Sequence, residues 1–156
     1  MSAHTDNAIV IEAPLELVWR IANDVERWPE LFAGEYAEAE VLERGGAYVR
    51  FRLTTTPNPD GRSFRWVSER HMDQERGTVS ARRLEPGPFR YMHIFQSFTP
   101  VEGGVEVRWV QDFEARPEAP FTDAQMRDHI NEGSAANLRQ HKAVIEAEAA
   151  VAQGQG

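Results

Sequence analysis

The chain has 156 residues, 41% of them hydrophobic, a formal net charge of -8 and no cysteine. That length holds one domain with one sizeable core. The missing cysteines remove disulfides, thiolate nucleophiles and Cys-ligated zinc, and an acidic chain without a dense Lys/Arg cluster argues against nucleic acid or an anionic membrane as a partner. No apolar stretch approaches the length of a membrane span and Met1 to Asn7 is polar, so neither a signal peptide nor an anchor is expected and the expected location is cytoplasmic.

In chain order, Asn7 to Glu12 reads as a β-strand. Pro14 then stands at a favourable first helical position ahead of Leu15 to Ala22, a short helix. Asp24 and Pro29 punctuate the next stretch, and Val25 to Phe32 reads as a second short helix carrying Trp28, Leu31 and Phe32. From Tyr36 to Glu114 the signals are those of a meander, with turns at Gly45-Gly46, Pro57 to Gly61, Gly77, Pro86-Gly87-Pro88 and Gly103-Gly104, leaving room for six strands. Val105, Val107, Trp109, Gln111 and Phe113 alternate with Glu106, Arg108, Val110, Asp112 and Glu114, and Val49, Phe51 and Leu53 keep the same rhythm, so the sheet is antiparallel with one covered face. After Pro120 the pattern is helical until roughly Val151, opened by Thr122-Asp123-Ala124-Gln125 with the spacing of a capping box. The expected unit is residues 1–152, with a frayed tail at 153–156.

Two polar residues fall on faces that should be apolar. Strand alternation sets Arg70 beside Phe64, Trp66 and Ser68 on the inward side. Helical spacing sets Asn137 in the stripe Met126, Ile130, Gly133, Val144 and Ile145. A guanidinium keeps its charge and costs several kcal/mol to desolvate alone, so a small domain that holds one inside should enclose water or a polar ligand. The competing reading is a structural arginine paired with a carboxylate such as Glu69 or Glu114.

The segments Thr5-Asp6-Asn7, Ala13 to Trp19, Asn23-Asp24, Trp28 to Phe32 and Tyr36 to Glu40 resemble the single-domain aromatase/cyclases of bacterial type II polyketide synthases. So do Trp66-Val67-Ser68, Arg70, Gly87-Pro88-Phe89, Tyr91-Met92, Arg108 to Gln111 and Ala119-Pro120-Phe121, so the likeness runs through nearly the whole chain. The resemblance implies an α+β helix-grip fold of the START and Bet v 1-like superfamily: a curved antiparallel seven-stranded sheet wrapped around a long C-terminal helix, with an interior pocket. It further implies that a poly-β-ketone tethered to an acyl carrier protein enters the pocket and closes its first ring by aldol condensation and dehydration, with no cofactor or metal. A ketosynthase and its chain-length factor are further implied partners. The likeness is closest to members that join carbons nine and fourteen and then help with a second ring. By resemblance Arg70, Tyr36 and Asn137 are the catalytic positions, Ser68 and Arg83 support them, and Trp28, Phe32, Trp66, Met92, Gln96 and Trp109 shape the pocket.

The chemistry suits those residue types. An aldol closure moves negative charge onto oxygen, and a fixed guanidinium stabilises that charge without exchanging protons. The Tyr36 hydroxyl can hydrogen-bond or exchange a proton with a ketone, and the Asn137 amide can orient a carbonyl or water, although a buried Asn more often satisfies nearby backbone. Arg83 follows the inward-phased Val79 and Ala81 and could meet the carrier's phosphopantetheine phosphate, with Arg82 facing outward. Phe98 joins Trp28, Phe32, Trp66 and Trp109 as a candidate channel aromatic. His71, His93, His129 and His141 make no metal spacing. The alternatives are a non-catalytic binding or chaperone module of the same fold, which restrains a reactive chain, and a scaffolding subunit with no pocket function.

Overall fold

The computed structural model describes residues 2–32 and 34–154. Strand β1 (Ala3–Ile11) leads into helix α1 (Leu15–Ala22), a 3-10 turn (Val25–Arg27) and the single-turn helix α2 (Trp28–Leu31). Pro14 caps α1 from outside, in an extended conformation, one position earlier than expected. The second short helix divides in two because Pro29 restarts helical geometry at the first turn of α2. Six strands come next: β2 (Tyr36–Arg44), β3 (Tyr48–Thr55), β4 (Arg65–Asp73), β5 (Thr78–Arg83), β6 (Phe89–Val101) and β7 (Gly104–Ala115). The chain closes with helix α3 (Asp123–Gly154), which continues past Val151; of the expected frayed tail, residues 155 and 156 lie outside the described residues.

All pairings are antiparallel, in the order β1-β7-β6-β5-β4-β3-β2. The consecutive strands β2 to β7 form a meander, while α1 and α2 carry the chain from one sheet edge, β1, to the other, β2. Helix α3 packs on β1, β7, α1 and α2, so it crosses one flank of the concave face. Its start is the expected capping box: Gln125 N–H donates to Thr122 Oγ1 at 3.1 Å and Thr122 N–H donates to Gln125 Oε1 at 2.9 Å. The helix is tied to the sheet there as well, since the Ala115 N–H donates to Asp123 Oδ1.

Alternation holds where strands are regular. Val49, Phe51 and Leu53 on β3, and Val105, Val107, Trp109 and Phe113 on β7, are buried. It fails at Phe64, expected inward but 55% exposed, because β4 begins only at Arg65 and the backbone before it belongs to the β3–β4 loop. It is overridden at β2. Tyr36 would share the outward phase of Glu38 and Glu40, but a register shift opposes Tyr36 and Glu38 to the adjacent residues Thr55 and Thr54. That bulge moves Tyr36 onto the side of Ala39 and Val41, where it packs against the core.

The core falls into two clusters. One gathers α1, α2, β3 and the first half of β7 around Val18, Ile21, Trp28, Leu31, Phe51 and Trp109. The other joins Ala3, Phe89, Met92 and Phe113, with Phe121, Met126 and Ile130 packed against it. Among the described residues no helix is long and apolar enough to cross a membrane.

Candidate active site

A cavity of about 140 Å³ lies between sheet and helix and draws its walls from both clusters. All eleven residues expected at the site line it: Trp28, Phe32, Tyr36, Trp66, Ser68, Arg70, Arg83, Met92, Gln96, Trp109 and Asn137. Phe98 does not; it turns to the other end of the sheet, edge-on to Trp19 at 5.0 Å. Exposed Glu35 and His129 mark the mouth, since both contribute to the lining while reaching solvent.

Arg70 is 2% exposed. Its Nη2 donates to Asn23 Oδ1 at 2.7 Å and to Gln96 Oε1 at 3.1 Å, both neutral amides, while its Nε is buried without a partner. The guanidinium also stands 5.0 Å from the centre of the Trp28 ring. Burial pulls its pKa down to about 9, which leaves it cationic at neutral pH. The structural alternative of a carboxylate partner does not hold, because Glu69 on the opposite face of β4 pairs with Arg82 at 2.7 Å and Glu114 pairs with Arg90 at 2.7 Å.

Register places Arg83 across from Ser68 on the neighbouring strand. Its guanidinium lies 3.9 Å from the Trp66 ring centre and 5.1 Å from that of Phe89. Burial lowers its pKa to about 10, opposed by the neighbouring Tyr36 and Glu35. Between the two cations runs an aromatic layer in which Tyr36 stacks on Trp28 and meets Trp66 edge-on. Burial, and then the Glu35 charge, push the Tyr36 phenol well above its usual range, so Tyr36 stays protonated and keeps its O–H available to donate.

Asn137, 7% exposed on α3, donates from Nδ2 to Glu35 Oε2 at 2.7 Å. Although the residue reaches solvent, the protein crowding its carboxyl raises the Glu35 pKa from its ordinary value, opposed first by the Asn137 hydrogen bond and then by His129 and Arg83. Sequence patterning does not single out Glu35, because it lies in the turn before β2, where no strand phase applies. Asn23, the 2.7 Å partner of Arg70, escapes it too, whereas Gln111, which alternation does phase inward, reaches the cavity and donates to Ser134 Oγ at 3.1 Å. Below Asn137, His141 is 3% exposed, with Nδ1 at 2.7 Å from the Asn137 carbonyl oxygen and its ring edge-on to Phe32 and Trp109. Burial pulls it down to about 4, so it is neutral. Among the described residues no group of three His, Asp or Glu side chains converges to hold a metal ion.

A curved antiparallel sheet gripping a terminal helix over a cavity that reaches solvent is the helix-grip fold. The Zhui aromatase/cyclase from Streptomyces sp. R1128 shares this fold with a TM-score of 0.80 at 22% identity, over 94% of each chain. The di-domain ARO/CYC StfQ of the steffimycin pathway superposes with a TM-score of 0.82 at 20% identity, covering 96% of this chain and 52% of that one. At those identities the likeness is one of fold. Sequence takes the assignment further: residues 2–146 match the family described as polyketide cyclase / dehydrase and lipid transport, and a protein of Streptomyces cyaneus named as a polyketide cyclase is 50% identical over 134 residues, 86% of this chain and 88% of that protein. The chain belongs to that family.

Proposed function

We propose that the protein is a polyketide aromatase/cyclase that takes a poly-β-ketone from an acyl carrier protein, closes the first ring by aldol condensation and promotes its dehydration to an aromatic ring. The observation that carries this reading is Arg70, a desolvated cation in the cavity wall that is held by neutral amides and a ring face, leaving its charge uncompensated toward the lumen. In a water-poor site such a preorganised charge stabilises enolate and alkoxide oxygen by about 3 kcal/mol or more. A carrier of purely apolar cargo gains nothing from it. The cavity volume supports ring closure inside the protein, since an apolar cavity of about 150 Å³ holds one benzene ring. Tyr36 serves as hydrogen-bond donor to a ketone, Ser68 and Gln96 hold the wall polar beside Arg70, and the aromatic layer stacks on the nascent planar ring. Arg83, nearer the mouth, suits the phosphate of the carrier's phosphopantetheine arm. Closure between carbons nine and fourteen, with a second ring afterwards, is the regiochemistry we assign on the sequence likeness.

The test is reconstitution with a minimal ketosynthase, chain-length factor and carrier protein. Wild type should divert the tethered chain from shunt products to one ring-closed aromatic product, and Arg70→Ala should lower the rate of forming that product on the order of a hundredfold. A product mixture unaffected by adding the wild type defeats the proposal.

A further inference from the structure

Aldol closure and dehydration both begin by breaking a C–H bond, and most polar groups in the cavity cannot accept that proton. Arg70 and Arg83 are cations, and the Tyr36 phenol is held protonated by burial. His141 lies below the wall with its ring nitrogens turned to the backbone carbonyls of Asn137 and Leu31. Glu35 differs: among the described lining residues it is the one carboxylate.

Its placement is built into the chain. Gly34 adopts a positive φ of 78°, which turns the backbone between α2 and β2. The Glu35 N–H then donates to the Phe32 carbonyl, and its own carbonyl accepts the Thr56 N–H at 3.0 Å, so the residue is clamped to α2 on one side and to the end of β3 on the other. From there the carboxylate reaches across the mouth to Asn137 Nδ2 on α3. One oxygen is held by that bond, and the other has no hydrogen-bond partner among the described residues.

We infer that Glu35 is the general base of the site and that Asn137 is the positioning residue that aims it. The inference rests on the cyclase reading and deepens it. The Glu35 carboxylate takes a proton from a methylene flanked by two carbonyls. The C–H electron pair becomes the enolate and forms the new C–C bond to a second ketone carbon, whose π pair moves onto oxygen opposite Arg70. The proton held by Glu35 passes through pocket water to that alkoxide, giving the alcohol and restoring the carboxylate. In the dehydration Glu35 takes the second α-proton, the enolate expels hydroxide, and the same proton leaves with it as water. No oxidant, reductant or further reactant enters.

The groups facing Glu35 are Asn137 and His129 from α3, Arg83 from β5 and Tyr36 beside it on β2. A carboxylate base is active when ionised, so ring closure should fall as pH drops through its pKa. Asn137 holds that pKa down, and Asn137→Ala should move the acid limb to higher pH.

The experiment measures ring-closed product from the reconstituted synthase between about pH 5.5 and 8.5 for wild type, Glu35→Gln, Asn137→Ala and His129→Gln, with binding of 2-naphthol as the measure of an intact cavity. Glu35→Gln should lose about 100-fold in ring closure at every pH while naphthol affinity changes less than about threefold. Asn137→Ala should lower the alkaline plateau, because the base is no longer aimed, and displace the acid limb upward, and His129→Gln, which removes a weaker influence on Glu35, should displace that limb less than Asn137→Ala does. A wild type that leaves the synthase's products unchanged overturns the cyclase reading and this inference with it. A wild type that acts while Glu35→Gln acts equally well, or an acid limb that tracks His129 and ignores Asn137, overturns the inference alone.

Discussion

Arg82 and Arg83 are neighbours on β5 and live in opposite environments. Arg82 faces outward with 59% of its side chain exposed and pairs with Glu69, while Arg83 faces the cavity and lies on Trp66. Across the ladder the same division separates Glu69 from Arg70. One pleat therefore sorts charges into two kinds: outer ones that meet opposite charge in water and contribute little, and inner ones that meet amides and aromatic faces and keep their field for a ligand. The cost of the inner set is tolerable because each guanidinium has a ring face, and Arg70 two amide acceptors as well, so desolvation is only partly uncompensated.

The inner set should reveal itself first through pH. Buried His141 has its pKa lowered to about 4 from 6.5 in the unfolded chain, so as pH falls below 6.5 the unfolded state takes up a proton that the folded state refuses. Stability present above that pH should be lost between about 6.5 and 4, on the order of 3 kcal/mol, and a urea titration of His141→Gln should show that window shrunken. Next comes Gly133. A Cβ there would meet nothing within 4 Å, since the position opens onto the cavity. Gly133→Ala should raise thermal stability by about 1 kcal/mol through helix propensity, and Gly133→Leu should fill the lumen and abolish naphthol binding in a folded protein. A Gly133→Leu protein that still binds would place the ligand elsewhere. The smallest effect belongs to the outer face: Arg82→Met should cost less than about 1 kcal/mol and leave ring closure unchanged, and a large loss of activity there would erase the distinction between the two faces.

Much of this is legible in the sequence alone. Period-two alternation places Arg70 inward without reference to its neighbours in space, and the Thr122 to Gln125 spacing announces the start of α3 because a capping box is entirely local. What escapes is what alternation cannot carry. Glu35 sits in a turn whose direction is set by the positive φ of Gly34, and Tyr36 reaches the cavity only because a bulge reverses its phase. Phe64 fails for the converse reason: alternation extends to it only if β4 begins one residue earlier than it does. The Asn23 partner of Arg70 comes from the C-cap of α1, 47 residues away, a separation for which the sequence pattern holds no signal. His141 enters the sequence reading only as a metal ligand to be excluded, whereas its depth in the aromatic layer comes from the same helical face as Asn137 and Leu138.

The uncompensated charge of Arg70 can be read directly from the ionisation of a bound phenol. With 2-naphthol in the cavity of the wild type, its spectroscopically measured pKa should drop by about one unit or more, equivalent to ~1.4 kcal/mol of anion stabilisation, and the drop should vanish in Arg70→Gln. A naphthol whose pKa is unchanged or raised on binding to the wild type would contradict the account.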